Sequence, residues 1–208
     1  MSDDTAKPIP EPYGRARAYA IWVAAIVVVA ALSAAVAMQL WRWGPEGTRT
    51  SSIGGPFALQ DGSGKTVTAD SLRGKPFLVY FGYTHCPDVC PTELALIADV
   101  LGKMGDKAVP ALFITVDPER DTPKVMRDYA SSFGSSSIVG LSGSPQAIST
   151  AMREYRVFSH KGEIQPDGSY SMDHSSIVYL MNREGGFVGP LNLERPPEET
   201  ATEIERYL

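Results

Sequence analysis

"PFLVYFGYTHCPDVCPTELALIADVLGKMG", residues 76–105, passes from an unbroken apolar run, through two cysteines, into a helical repeat. Residues 76–83 are apolar without alternation, as in a strand covered on both faces. From Pro91 onward the apolar side chains return at Leu94, Ile97, Ala98 and Leu101, and Gly105 closes the pattern. A proline in the first turn and a glycine past the last are helix start and stop signals. The stretch therefore predicts a buried strand, a short connection and a helix over 91–105. Cys86 and Cys90, the only cysteines in the chain, fall in the connection.

Downstream the same alternation continues. Residues 109–117 predict a second buried strand. Residues 122–134 predict a helix with Thr122 as N-cap, Pro123 at its first position and Gly134 at its end. A short strand follows at 138–143, then a helix opened by Ser144 and Pro145, then strands at 175–182 and 185–189 around the turn "REGG", and a last helix over 195–208. Upstream, residues 57–60 and 65–68 flank "DGSG" and predict a hairpin. Residues 158–173, "FSHKGEIQPDGSYSMD", break the pattern and are expected to form an inserted loop or hairpin. The fold class is α/β: a mixed sheet flanked by helices, with an N-terminal hairpin and an inserted segment.

A chain of 208 residues suits one domain with an appendage, at roughly 100–200 residues per domain. The net charge is −5. Lys7, Arg15, Arg17 and Arg42 balance Asp3, Asp4 and Glu11 ahead of residue 44, so the acidic excess lies in the body. A body of that sign without a basic run lacks the contacts that bind phosphate backbones, which excludes nucleic acid as a partner. Residues 18–40 carry no charge. About 20 apolar residues in a helix cross a bilayer, and Tyr19, Trp22, Trp41 and Trp43 stand near the ends as interfacial aromatics do. A cleaved signal peptide is the competing reading, with Ala35-Val36-Ala37 as a small-residue site. Signal-peptide apolar cores run to about 7–15 residues, however, which favours an uncleaved anchor. Lys7, Arg15 and Arg17 before the span against Arg42 and Arg49 after it place the N-terminus in the cytoplasm. The expected organisation is a cytoplasmic tail (1–17), a transmembrane anchor (18–40), a Gly/Pro/Ser-rich linker (41–53) and a globular domain (54–208) outside the cytoplasm, where a disulfide can persist.

The cysteines allow three chemistries. A structural disulfide between positions four apart closes a very short loop and adds little stability. A redox couple is favoured by the helix N-terminus, whose free N–H groups and dipole lower a thiol's pKa. Half of a metal site is the third: if the helix begins at Asp88 or Val89, one helical turn brings the Cβ atoms to about 5–6 Å, near enough for either a bridge or shared coordination. A metal needs a further ligand, and the chain holds three histidines, His85, His160 and His174. His160 lies in the polar insertion, where solvation is the default. His85 adjoins Cys86 at a strand end and alternates away from it. His174 directly precedes a predicted buried strand, and loops at one set of strand ends converge over helix N-termini in such folds. Two thiolates and an imidazole suit copper ahead of zinc, since structural zinc takes four protein ligands and no fourth is evident; Asp88, Met172 and Asp173 have ordinary loop or packing roles. Asp117, at a strand end beside the same surface, either tunes the site or caps the turn before Pro118, and capping is the favoured reading.

Three motifs, "GYTHCPDVCP" (82–91), "VDPERDTP" (116–123) and "DHSSIVYLMN" (173–182), together resemble the Sco/SenC family over residues 54–208. The resemblance implies a thioredoxin-like fold behind a membrane tether in the inner membrane, with the domain in the periplasm. It implies one copper ion, copper(I) or copper(II), held by Cys86, Cys90 and His174. It also implies a role in assembling the CuA centre of cytochrome c oxidase, with subunit II of the oxidase as partner and a periplasmic copper donor and thiol reductant beside it. Such a protein is a metal carrier without turnover. The competing class is an enzyme that uses the redox-active pair Cys86 and Cys90, a thiol:disulfide oxidoreductase or a peroxidase of thioredoxin type.

Overall fold

The computed structural model describes residues 19, 21–24, 26–34 and 53–208. Residues 19, 21–24 and 26–34 are helical. The rest of the span expected over 18–40 lies outside the described residues, as do the tail and nearly all of the linker. Among the described residues, no helix is long and apolar enough to cross a membrane. Residues 53–208 belong to one compact unit.

That unit is built on a seven-stranded mixed sheet. The strands are β1 (Ala58–Asp61), β2 (Thr66–Thr68), β3 (Phe77–Gly82), β4 (Ala111–Thr115) and β5 (Ile138–Ser142), then β8 (Val178–Met181) and β9 (Phe187–Pro190), in the order β2-β1-β5-β4-β3-β8-β9. β3, β4 and β5 are parallel neighbours, and β1 and β8 join them antiparallel. Two further strands, β6 (Ser159–Lys161) and β7 (Met172–His174), make a separate two-stranded ribbon. Four helices complete the unit: α1 (Val89–Met104), α2 (Pro123–Ser131), α3 (Pro145–Glu154) and α4 (Pro197–Glu205).

Most of the expected elements form where the periodicity places them, and the ends differ for local reasons. Thr122 and Ser144 cap α2 and α3 by accepting the backbone N–H groups of Val125 and Ala147. Helix α1 begins two residues before Pro91. The ring is tolerated there because the first-turn N–H groups have no partner inside the helix. The strand expected from Ser175 starts only at Val178, and the last helix occupies 197–205 rather than 195–208. The insertion is a hairpin, the β6–β7 ribbon, and it takes in His174, which was expected to lie just ahead of a sheet strand. The N-terminal hairpin forms and also extends the main sheet through β1 and β5.

β3 and β4 are wholly buried, consistent with a sheet covered on both sides. On one face Tyr80 stacks on Phe113, with Tyr129 of α2 beyond. On the other, Phe81 packs against Tyr155, just after α3, and against Tyr179 of β8. Burying large aromatic side chains supplies most of the drive to fold. Phe81→Ala is expected to cost about 3–5 kcal/mol of stability. The check is a shifted midpoint with an unchanged slope in chemical denaturation.

Candidate metal centre

The site lies where β3 ends and α1 begins. Tyr83 turns the chain, its carbonyl accepting the N–H of Cys86. Cys86 stays in the connection, and Cys90 is the second residue of the helix. Asp88, the N-cap residue, makes no side-chain capping bond. The Sγ of Cys86 takes that role instead, accepting the backbone N–H of Cys90 at 3.3 Å. The sulfur thereby satisfies one of the otherwise unpaired donors of the first turn.

His174 arrives from the far side of the chain. Its Nε2 lies 3.3 Å from the Sγ of Cys90, and the donor atoms of Cys86, Cys90 and His174 all fall within 4.8 Å of one another. Both cysteines are buried and free, and His174 is half-buried. The Nδ1 of His174 is 3.1 Å from the carbonyl oxygen of Ser175. A carbonyl can only accept, so Nδ1 carries a proton and Nε2 is the nitrogen that faces the sulfur. This is the arrangement in which a histidine is oriented to ligate a metal.

Burial pushes the Cys90 thiol up to about 12, and hydrogen bonding to Cys86 adds to the shift. At Cys90 desolvation thus runs against the lowering expected of a helix N-terminus and outweighs the backbone hydrogen bond at Tyr83 that favours the thiolate. The Sγ of Cys90 and the Nε2 of His174 lie within hydrogen-bond reach of one another.

Around this core the structure adds residues that the motifs alone did not single out. Gly82 closes the floor, since a Cβ there would stand 2.7 Å from the Sγ of Cys90 and 2.9 Å from Phe113. The ring of Tyr83 meets the His174 ring edge-on at 5.8 Å, and its hydroxyl accepts the N–H of Met172 at 3.3 Å. Gly82 and Tyr83 close the apolar run 76–83 and open the motif "GYTHCPDVCP", which marks their place but not what they touch. The other two histidines stay outside the group. His85 is exposed, beside Thr84 at 3.1 Å, and His160 is exposed on β6 opposite Asp173. Asp117 does not cap its turn with its side chain. The backbone carbonyl of Asp117 closes the turn by accepting the N–H groups of Arg120 and Asp121, while its buried carboxylate accepts from Arg120 and from the Tyr170 hydroxyl.

The SCO1/SenC family model matches residues 45–208. The chain belongs to this family. Protein SCO1 homolog 1, mitochondrial, of Arabidopsis thaliana is 44% identical over 141 residues, which cover 66% of this chain and 42% of that protein. The structure of Bradyrhizobium japonicum ScoI with copper bound is similar at 54% identity, covering 75% of this chain and 99% of that one, with a TM-score of 0.72. BsSco, described as a member of the Sco family of cytochrome c oxidase assembly proteins with a disulfide switch, is similar at 26% identity over 74% of this chain and 91% of that one, with a TM-score of 0.59. This chain spans about half the length of curated mitochondrial relatives that it matches. Likeness to these structures bears out the thioredoxin-like α/β fold of the SCO1/SenC domain.

Two outcomes follow from this geometry. Gly82→Ala is expected to displace the Cys90 thiol and to cost about 1–3 kcal/mol by overpacking, read by thermal or chemical denaturation. In the reduced, metal-free protein at pH 8, alkylation followed by peptide mapping is expected to reach Cys90 at least about tenfold more slowly than a free cysteine in solution, because only thiolate reacts and burial holds that thiol protonated.

Proposed function

We propose that this SCO1/SenC protein is a membrane-tethered copper metallochaperone. It binds one copper ion through Cys86, Cys90 and His174 and helps assemble the CuA site of cytochrome c oxidase. The observation that carries the proposal is the convergence of two sulfurs and one imidazole nitrogen within 4.8 Å. Soft sulfur selects copper(I), and imidazole accommodates copper in both oxidation states. The copper is cargo. With two thiolates, copper(I) leaves one net negative charge and copper(II) leaves none, so neither state places a large charge in a buried site. ScoI, 54% identical, was solved with copper bound, and the description of BsSco supports the link to the oxidase.

In this reading residues 1–17 stay in the cytoplasm, 18–40 anchor the chain in the inner membrane, 41–53 form the tether and 54–208 face the periplasm. The uncharged stretch and the flanking basic residues support that arrangement. The partners are the CuA-bearing subunit II of the oxidase, a periplasmic copper donor and a thiol reductant. The reductant matters because oxidation of Cys86 and Cys90 to a disulfide removes two electrons and two protons and eliminates both sulfur ligands. Loss of those ligands releases the cargo.

A second reading rests on the same free, adjacent thiols. As a dithiol, the pair would reduce a disulfide on a target protein, passing it two electrons and two protons and becoming oxidised itself. That is the chemistry of a thiol:disulfide oxidoreductase or, with a peroxide as acceptor, of a thioredoxin-type peroxidase. His174→Ala separates the two. A copper carrier loses metal retention and oxidase assembly, whereas a dithiol reductant keeps its rate.

Titrating the full chain in detergent with copper is expected to give one equivalent bound. A sulfur-to-copper(II) charge-transfer band should accompany it and vanish in Cys86→Ser and in Cys90→Ser. Stoichiometric zinc with no copper would overturn the assignment. The pH dependence has a definite sign. The proton on Cys90 must leave as the metal enters, so affinity rises with pH below about 12, by about tenfold per unit for each proton released. A chelator competition at two pH values checks it.

A further inference from the structure

Two arms carry the three candidate ligands: the connection that holds Cys86 and leads to Cys90, and the β6–β7 ribbon that ends in His174. The segment "DPERD", residues 117–121, touches both. Toward the cysteines, the fully buried carboxylate of Asp121 accepts the N–H of Thr84 at 3.0 Å and its hydroxyl at 2.6 Å, and also the Thr115 hydroxyl at 2.8 Å. Toward the histidine, Arg120 reaches across to Tyr170, two residues ahead of β7. Its Nη1 donates to the Tyr170 carbonyl at 3.0 Å, and its guanidinium lies 3.6 Å from the centre of the Tyr170 ring. The Nε of Arg120 is held by the Asp117 carboxylate, which also accepts the Tyr170 hydroxyl at 3.0 Å. The same guanidinium stands 5.7 Å from the centre of the Tyr83 ring, the ring that meets His174 edge-on and whose hydroxyl holds Met172 of β7.

We propose that Arg120, braced by Asp117, is a positioning residue that holds the His174 ribbon over the two sulfurs through Tyr170 and Tyr83. Asp121 separately fixes the cysteine connection. The ribbon depends on a clamp of side-chain contacts such as these because it makes no strand pairing to the main sheet among the described residues; Lys161 on Glu119 at 2.6 Å and Ser159 on the sulfur of Met152 at 3.4 Å are further ties. Arginine suits the role, since it offers a fork of donors to carbonyl and carboxylate at once and a flat cation for an aromatic face. Because the two arms are held by different carboxylates, the histidine side can loosen while the dithiol side stays fixed. Cargo would then pass to an acceptor from a two-sulfur intermediate, with His174 leaving first.

The inference rests on the copper reading for its purpose but not for its geometry, so the decisive measurement is made without metal. In the reduced, copper-free full chain, Arg120→Met is expected to speed amide hydrogen exchange at Met172 and His174 by about tenfold or more, the loss of charge-assisted hydrogen bonds. Exchange at Thr84 and Cys90 is expected to stay within about twofold. The imidazole nitrogen signals of His174 are expected to move from one fixed tautomer to an average of two. Tyr170→Phe keeps the stacked ring and loses only its hydroxyl, and is expected to give a smaller change at the same residues. It also carries the test if Arg120→Met does not fold. Asp121→Asn is expected to act on Thr84 and Cys90 instead. Unchanged exchange and imidazole signals in the Arg120 variant, or equal acceleration throughout the domain, would overturn the clamp. In the copper-loaded protein, Arg120→Met is expected to hand copper to a chelator about tenfold faster, in proportion to the exchange change. A loosened ribbon in a protein that never takes up copper would leave the clamp standing and sink the copper reading alone.

Discussion

The antiparallel pairing of β8 with β3 decides whether this chain has a site at all. Tyr80 lies opposite Val178 and Phe77 opposite Met181, so β8 enters the sheet beside the end from which β3 leaves it. The cysteines follow β3 and the histidine precedes β8, and the pairing places both at the same edge. His174 reaches Cys90 at 3.3 Å from 84 positions away along the chain. With β8 parallel to β3, the same residues would lie at opposite ends of the sheet, separated by the length of a strand. A long-range constraint in the backbone ladder therefore does what no local motif could.

The second constraint is a competition between solvation and dipole at the two thiols. A thiol near a helix N-terminus in water would be acidified, but Cys90 sits beneath the sheet edge among Gly82, Tyr80 and Phe113, and there the neutral form wins. Cys86 keeps its sulfur on the Cys90 N–H and serves as the helix cap. The two sulfurs thus have unequal environments despite their symmetric spacing. The imidazole of His174 and the Sγ of Cys90 partner one another at 3.3 Å, which keeps two partly buried polar groups from standing unpaired.

Much of this architecture was legible in the sequence, because strands buried on both faces and capped amphipathic helices leave strong periodic marks. The start of α1 was misplaced since its cap is a sulfur rather than the usual oxygen side chain, and Pro91 drew attention as the first helical residue. Cys86, Cys90 and His174 could be named as a group, yet residue type and position alone left His174 evenly balanced between loop histidine and ligand until the three motifs were taken together. Gly82, Tyr83, Arg120 and Tyr170 escaped because their roles depend on what faces them across the fold. The carboxylate of Asp117 reads from sequence as a cap of its own turn ahead of a tuning role at the site; it accepts instead from the Arg120 side chain within that turn and from the Tyr170 hydroxyl outside it, a partner that sequence position does not reveal.

The ribbon has one more consequence. Its ladder closes with Lys161 opposite Met172, and the N–H of Gly162 continues it to the carbonyl of Ser171. Beyond that point residues 163–169 form an exposed tip held by its own turn bonds, with Gln165 and Ser169 paired across it. Chain added or removed at that tip leaves both ends of the loop pinned, so loop length can vary without shifting the imidazole. The apex is accordingly a natural place for lineage-specific extensions, and for a grafted fluorophore or epitope that reports on the centre from outside it.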